Sequence, residues 1–119
     1  MATPRDTLPG MNSVEIERKL EEAFDAIHGL QAENRDHAVA AATAKADYEV
    51  TYAKALLVSR DKGLAVEVAK AEATLVAQSA YREMVVAEAK YRANRQAIGT
   101  LSTQVDILRS LAASHRSIF

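Results

Sequence analysis

Asp25 and His28 stand three residues apart in the segment DAIH, on one face of any helix that contains them. That spacing is the carboxylate-x-x-His element of di-iron helical bundles. A di-iron centre needs further inward-facing Glu and a second such element, and residues 64–114 supply none. His28 therefore reads as a solvated side chain, and His37, on an apolar stripe, as a half-buried packing residue; the third histidine is His115. With no cysteine there is no disulfide or thiolate metal site. Neither a glycine-rich phosphate loop nor a Ser/His/Asp constellation with supporting loops is present. No catalysis, metal or cofactor is expected.

Anion binding is the other chemistry on offer. Lys90, Tyr91, Arg92 and Arg95 combine cations with an aromatic ring and are candidate nucleic-acid-binding residues, with Arg109 and Arg116 further along. The competing reading is a solvated basic face paired with Glu and Asp of a neighbouring helix. The whole chain gives no push toward nucleic acid or an anionic membrane, because its formal charge is −1. At the other extreme of polarity, the terminal HRSIF ends in Ile118 and Phe119, which could dock on the protein itself or anchor a partner.

The elements that carry these residues are helices. The chain is 119 residues long, rich in Ala, Glu, Lys, Arg, Leu and Val, without Trp and with two Phe. Such a composition favours closely packed helices over a core with aromatic anchors. Residues 1–11 contain Pro4, Pro9 and Gly10 and read as a flexible arm. Asn12 or Ser13 caps a first helix over 13–62, about 75 Å long at 1.5 Å per residue. Its apolar spacing is Ile16, Leu20, Ala23, Ile27, Leu30, then Asn34, His37, Ala41, Ala44, Tyr48, Thr51, Ala55, Val58. Gly63 marks a turn. A second helix, 64–114, alternates 4-3 through Ala73, Ala77, Ala80, Met84, Ala87, Tyr91, Asn94, Ile98, Leu101, Val105, Leu108 and Ala112. Residues 115–119 are left as a tail.

A short turn makes the helices antiparallel neighbours, so facing residues have numbers that add to roughly 125–128. Ile27 then meets Ile98, Phe24 meets Leu101, Leu20 meets Val105, Val14 meets Leu111 and Val50 meets Leu75. Asn34 falls level with Tyr91 and near Asn94, a polar layer or a register lock. Gly29 and Gly99 share a level, which suggests close approach by another chain or coincidence. Residues 15–36 hold seven acids and three bases while 90–119 hold five bases and one acid, so an acidic arm lies along a basic one.

Apolar residues also fall off this seam: Val39, Val50 and Leu57 on the first helix, Leu75, Val76, Val85 and Val86 on the second. Helices apolar on more than one face need further neighbours. Two hairpins joined as a C₂ four-helix bundle would supply them, with Val76, Val85 and Val86 at the interface between copies or with a partner. The N-terminal segment lacks an apolar run, and no stretch approaches the ~18 residues that span a bilayer. A soluble cytoplasmic protein is expected.

The stretches ADYEVTYAKALLVSRDKGLAVEVAKAEATL and YREMVVAEAKYRANRQAIGTLSTQVDILRSL resemble small all-helical early-region proteins of tailed bacteriophages, often encoded near single-strand annealing recombinase genes. The shared features are A-x-Y-x-x-x-Y-A-K-A, here Ala46 to Ala55, and L-R-S-L, here Leu108 to Leu111. The resemblance spans roughly residues 40–112. It implies phage origin, a place in the host cytoplasm, and work on DNA replication, recombination or a host protein. It assigns no catalytic residue.

The expectation is an all-α antiparallel hairpin that self-associates and binds a macromolecule as a protein–protein adaptor or inhibitor. Single-strand nucleic-acid binding as a recombination accessory, and a structural place in a virion, are the alternatives.

Overall fold

The computed structural model describes residues 12–118, with side chains described through Arg116. It is all-α: helices α1 (Ser13–Asp61), α2 (Val66–Val76) and α3 (Gln78–Ile118), with no strand among the described residues. The 1–11 arm and Phe119 lie outside the described residues, as does the side chain of Ile118. The chain divides into two compact units, Met1–Ala32 with Gln96–Phe119, and Glu33–Arg95; α1 contributes to both.

Asn12 starts α1. Its Oδ1 accepts the Glu15 N–H at 2.9 Å and its carbonyl accepts the Ile16 N–H at 3.0 Å, satisfying two of the free amides of a helix start. The far end closes in a Schellman motif. Gly63 sits at φ 84, the Gly63 N–H donates to the Arg60 carbonyl at 2.9 Å, and the Leu64 N–H reaches back to the Ser59 carbonyl at 3.3 Å. Completing this motif uses Leu64, and Ala65 at φ −60, ψ 153 is the extended residue that opens α2. The second arm therefore starts at Val66 rather than at 64, and residues 62–65 are the connection instead of Gly63 alone.

The second arm is expected as one helix, but it is interrupted at Ala77, which has φ −86 and ψ 3. Its N–H still donates to the Ala73 carbonyl, and the Tyr81 N–H returns to the Ala77 carbonyl, both at 2.9 Å. The interruption coincides with Ala69, Ala73 and Ala77, all fully buried at successive steps of four. Two steps of four in a 4-3 pattern are a stutter, which locally unwinds a coiled coil. Beyond it α3 continues through Ile118, past the expected end at 114.

Within Met1–Ala32 and Gln96–Phe119 the core is aliphatic: Ile16, Ala23, Val105 and Leu108 are buried, with Leu20, Ile27, Leu30, Ile98 and Leu101 half-buried. Within Glu33–Arg95 the buried set is Ala41, Ser59, Ala69, Ala73, Ala77 and Asn94. Apart from the Ala69–Ala73–Ala77 double step, the seam in both units matches the 4-3 spacing with one exception. Ser59 is buried and Val58 exposed, because a 3.6-residue helix drifts about 20° per heptad against a strict 3.5-residue repeat.

The expected register shifts by about a turn near the connection. Level with Tyr48 the expectation is 77–80, but Tyr81 packs on it edge to face with ring centroids 5.4 Å apart. Level with Ser59 the expectation is 66–69, but its Oγ donates to Glu72 Oε2 at 2.8 Å. Two expected pairings also fail, since Val50 and Leu75 are both exposed and Val14 is exposed, and the Phe24 ring carries the Arg109 guanidinium at 5.4 Å.

Candidate functional site

The two outer faces of Glu33–Arg95 carry exposed valines and leucines, whereas its buried apolar residues are alanines. On α1, Val39, Val50 and Leu57 are 58%, 51% and 64% exposed. They are eleven and seven residues apart, so they align about half a turn round the helix from the Ala41–Ala44–Tyr48 seam. On the opposite arm Val68, Leu75 and Val86 are exposed and share a face by the same spacings. Meanwhile most of the buried residues of this unit are alanines. Burying a Val or Leu side chain stabilises by roughly 1.5–3 kcal/mol, against about 0.8 kcal/mol for a single methylene-sized group.

Val76, Val85 and Val86 are all exposed. They do not form one face: Val76 and Val85 are nine residues apart, about half a turn out of phase, and Val86 is the member that aligns with Leu75. The signal that finds Val68 and Leu75 as its companions is the seven- and eleven-residue spacing on the outside of the helix.

Asn34 and Asn94 lie at the same end of this unit's arms. Asn94 is 6% exposed and Asn34 half-buried, and neither Oδ1 has a hydrogen-bond partner. An orphaned buried acceptor costs about 1–3 kcal/mol.

The four candidate nucleic-acid residues are divided between two grooves. Arg92 and Tyr91 line one, with Lys45, Glu88 and an alanine floor of Ala38, Ala41 and Ala42, and Arg95 Cζ lies 5.7 Å over the Tyr91 ring. Lys90 lines the other, with His37, Arg82, Glu83 and Val86. Lys45 and Arg82 complete these grooves; finding them requires the inter-arm register. Lys90, Arg92 and Arg95 have no ion-pair partner among the described residues. Two ion pairs among the described residues, Arg18–Glu22 and Lys70–Glu67, are both 3.9 Å, exposed and within a single arm. Lys90, Arg92 and Arg95 therefore do not bridge to the described acidic residues of α1.

In the other unit a groove of about 630 Å³ brings Asp25 and His28 together with Asp106, Gln31 and Arg109. Among the described residues no His/Asp/Glu group has a metal-binding arrangement. Gly29 and Gly99 face open space, and a methyl group in place of the hydrogen at either would meet nothing within 4 Å. No described helix is long and apolar enough to cross a membrane. No protein-family model, no curated protein and no solved structure matches the chain.

Proposed function

We propose that this chain is a non-enzymatic adaptor or inhibitor that binds another protein through the outer face that α2 and α3 present in its Glu33–Arg95 unit. The distribution of side chains supports it: four of the six buried residues of this unit are alanines, while Val68, Leu75 and Val86 face solvent on α2 and α3. A helix apolar on two faces is stable in water only when both are covered. The segments at Ala46–Ala55 and Leu108–Leu111 favour a phage-encoded protein acting in the host cytoplasm on DNA-processing or host machinery.

Affinity capture from bacterial lysate tests this reading. The wild-type chain and Leu75→Lys/Val86→Lys are immobilised in parallel, after circular dichroism has shown that both melt alike. A protein retained by the wild type and lost from the variant supports the adaptor reading. Identical retention profiles for the two resins overturn it.

Direct binding of single-stranded nucleic acid is the second reading, favoured by Lys45, Arg92 and the partly covered Tyr91 ring in one groove, with Arg95 above it.

A further inference from the structure

We infer that a second copy of this chain packs on the outer face of α1, parallel and in register, so that Val50 meets Val50 of the second copy. The face is Val39, Thr43, Ala46, Val50, Ala53 and Leu57, all exposed and none charged. Their spacing alternates 4-3 throughout, the pattern of a helix seam. Asp36 and Arg60, the next positions in that pattern, bound it. The opposite side of the same helix is already engaged inside its own unit through Ala41, Tyr48 and Ser59. The outer seam therefore takes a helix from outside that unit.

Charge selects the occupant and its direction. Glu49 and Lys54 flank the stripe at the positions that face each other across a parallel pair five residues apart. Two parallel copies in register thus gain Glu49–Lys54 contacts twice, once on each side. Running antiparallel with the same apolar layers, Val50 opposite Ala46 and Leu57 opposite Val39, the pair sets Asp47 against Asp47 and Glu49 against Glu49. Like charges directly opposed are unfavourable. A second copy in parallel satisfies both the apolar pattern and the flanking charges. This inference rests on the reading of the chain as a binding protein, but it concerns a different face from Leu75 and Val86.

The natural chain has no cysteine, so a single introduced thiol reports one contact. Val50→Cys in the full chain is oxidised mildly beside Lys45→Cys, an exposed position off the stripe. The expected result is a covalent dimer from Val50→Cys at least about tenfold faster than from Lys45→Cys, as self-facing seam positions require. Glu49→Lys is expected to weaken association in sedimentation equilibrium by about tenfold, and Glu49→Lys/Lys54→Glu to restore it. Equal crosslinking rates, crosslinking only in Ala46→Cys/Val50→Cys, or a single-chain mass of 12.9 kDa at every concentration overturns the inference. Capture through Leu75 and Val86 is unaffected by that failure, so the two readings fall separately.

Discussion

Ser59 Oγ donates a 2.8 Å hydrogen bond to Glu72 Oε2, tying the last turn of α1 to α2 across the 62–65 connection. Ser59 is buried, so the bond replaces solvent for the hydroxyl, while Glu72 stays exposed. Ser59→Ala is expected to cost about 1.5 kcal/mol in urea unfolding, the low end of the range for a bond to a charged acceptor. Glu72→Gln retains an acceptor and should cost less. Equal stability of Ser59→Ala and wild type would show that water serves the hydroxyl equally well.

Helix content and seam were legible because they rest on spacing alone: from Ile16 to Ala55 and from Ala73 to Ala112 every position in the count is buried or half-buried. Register was not. The Tyr48–Tyr81 and Ser59–Glu72 contacts fix it, and no residue type in the sequence marks them as partners. The Ala77 interruption escaped because neither Pro nor Gly marks it; its trace is only the double step of four from Ala69. Charge totals of the arms were legible, but ion pairs depend on side-chain reach. The grooves of Arg92 with Lys45 and of Lys90 with Arg82 become visible only once the arms are aligned.

The glycines separate by backbone conformation. Gly29 and Gly99 are helical with open space around them, so Gly29→Ala and Gly99→Ala should each stabilise by about 0.5–1 kcal/mol through lower backbone entropy in the unfolded chain. Gly63→Ala should destabilise by about 1 kcal/mol, since φ 84 is unfavourable for a side chain. Thermal melts of the three variants check the signs. Loss of self-association in Gly29→Ala without loss of helix would instead place a second chain against that position.

The Asn34 and Asn94 amides carry orphaned acceptors in a seam otherwise apolar at that level. Asn34→Leu/Asn94→Leu is expected to raise stability by about 2 kcal/mol, removing two unmet acceptors and adding apolar contact. As a register device the layer would also limit sliding of one arm on the other. The double variant should then show doubled amide resonances for Glu33–Arg95 in NMR spectra where the wild type shows one set. Lower stability of the double variant would mean that the amides find donors in solution.

Phosphate binding can be bounded from the number of cations that converge. One groove offers Lys45 and Arg92 beside Tyr91, with Arg95 above the ring and Glu88 opposing them. Each phosphate neutralised on a single strand contributes a slope of about −0.7 in log affinity against log salt, so three contacts give about −2. Proteins with six to ten such contacts lose about 10³–10⁵ in affinity between about 50 and 200 mM salt, and nonspecific dissociation constants are typically about 10⁻⁴–10⁻⁶ M at physiological salt. Three cations and one stacking ring should therefore leave oligonucleotide binding weaker than about 10⁻⁴ M near 0.15 M salt. Fluorescence anisotropy with a labelled single strand, titrated between low and physiological salt, measures both quantities. Micromolar binding at physiological salt with a slope near −2, abolished by Lys45→Glu/Arg92→Glu, would displace the adaptor reading in favour of direct nucleic-acid binding.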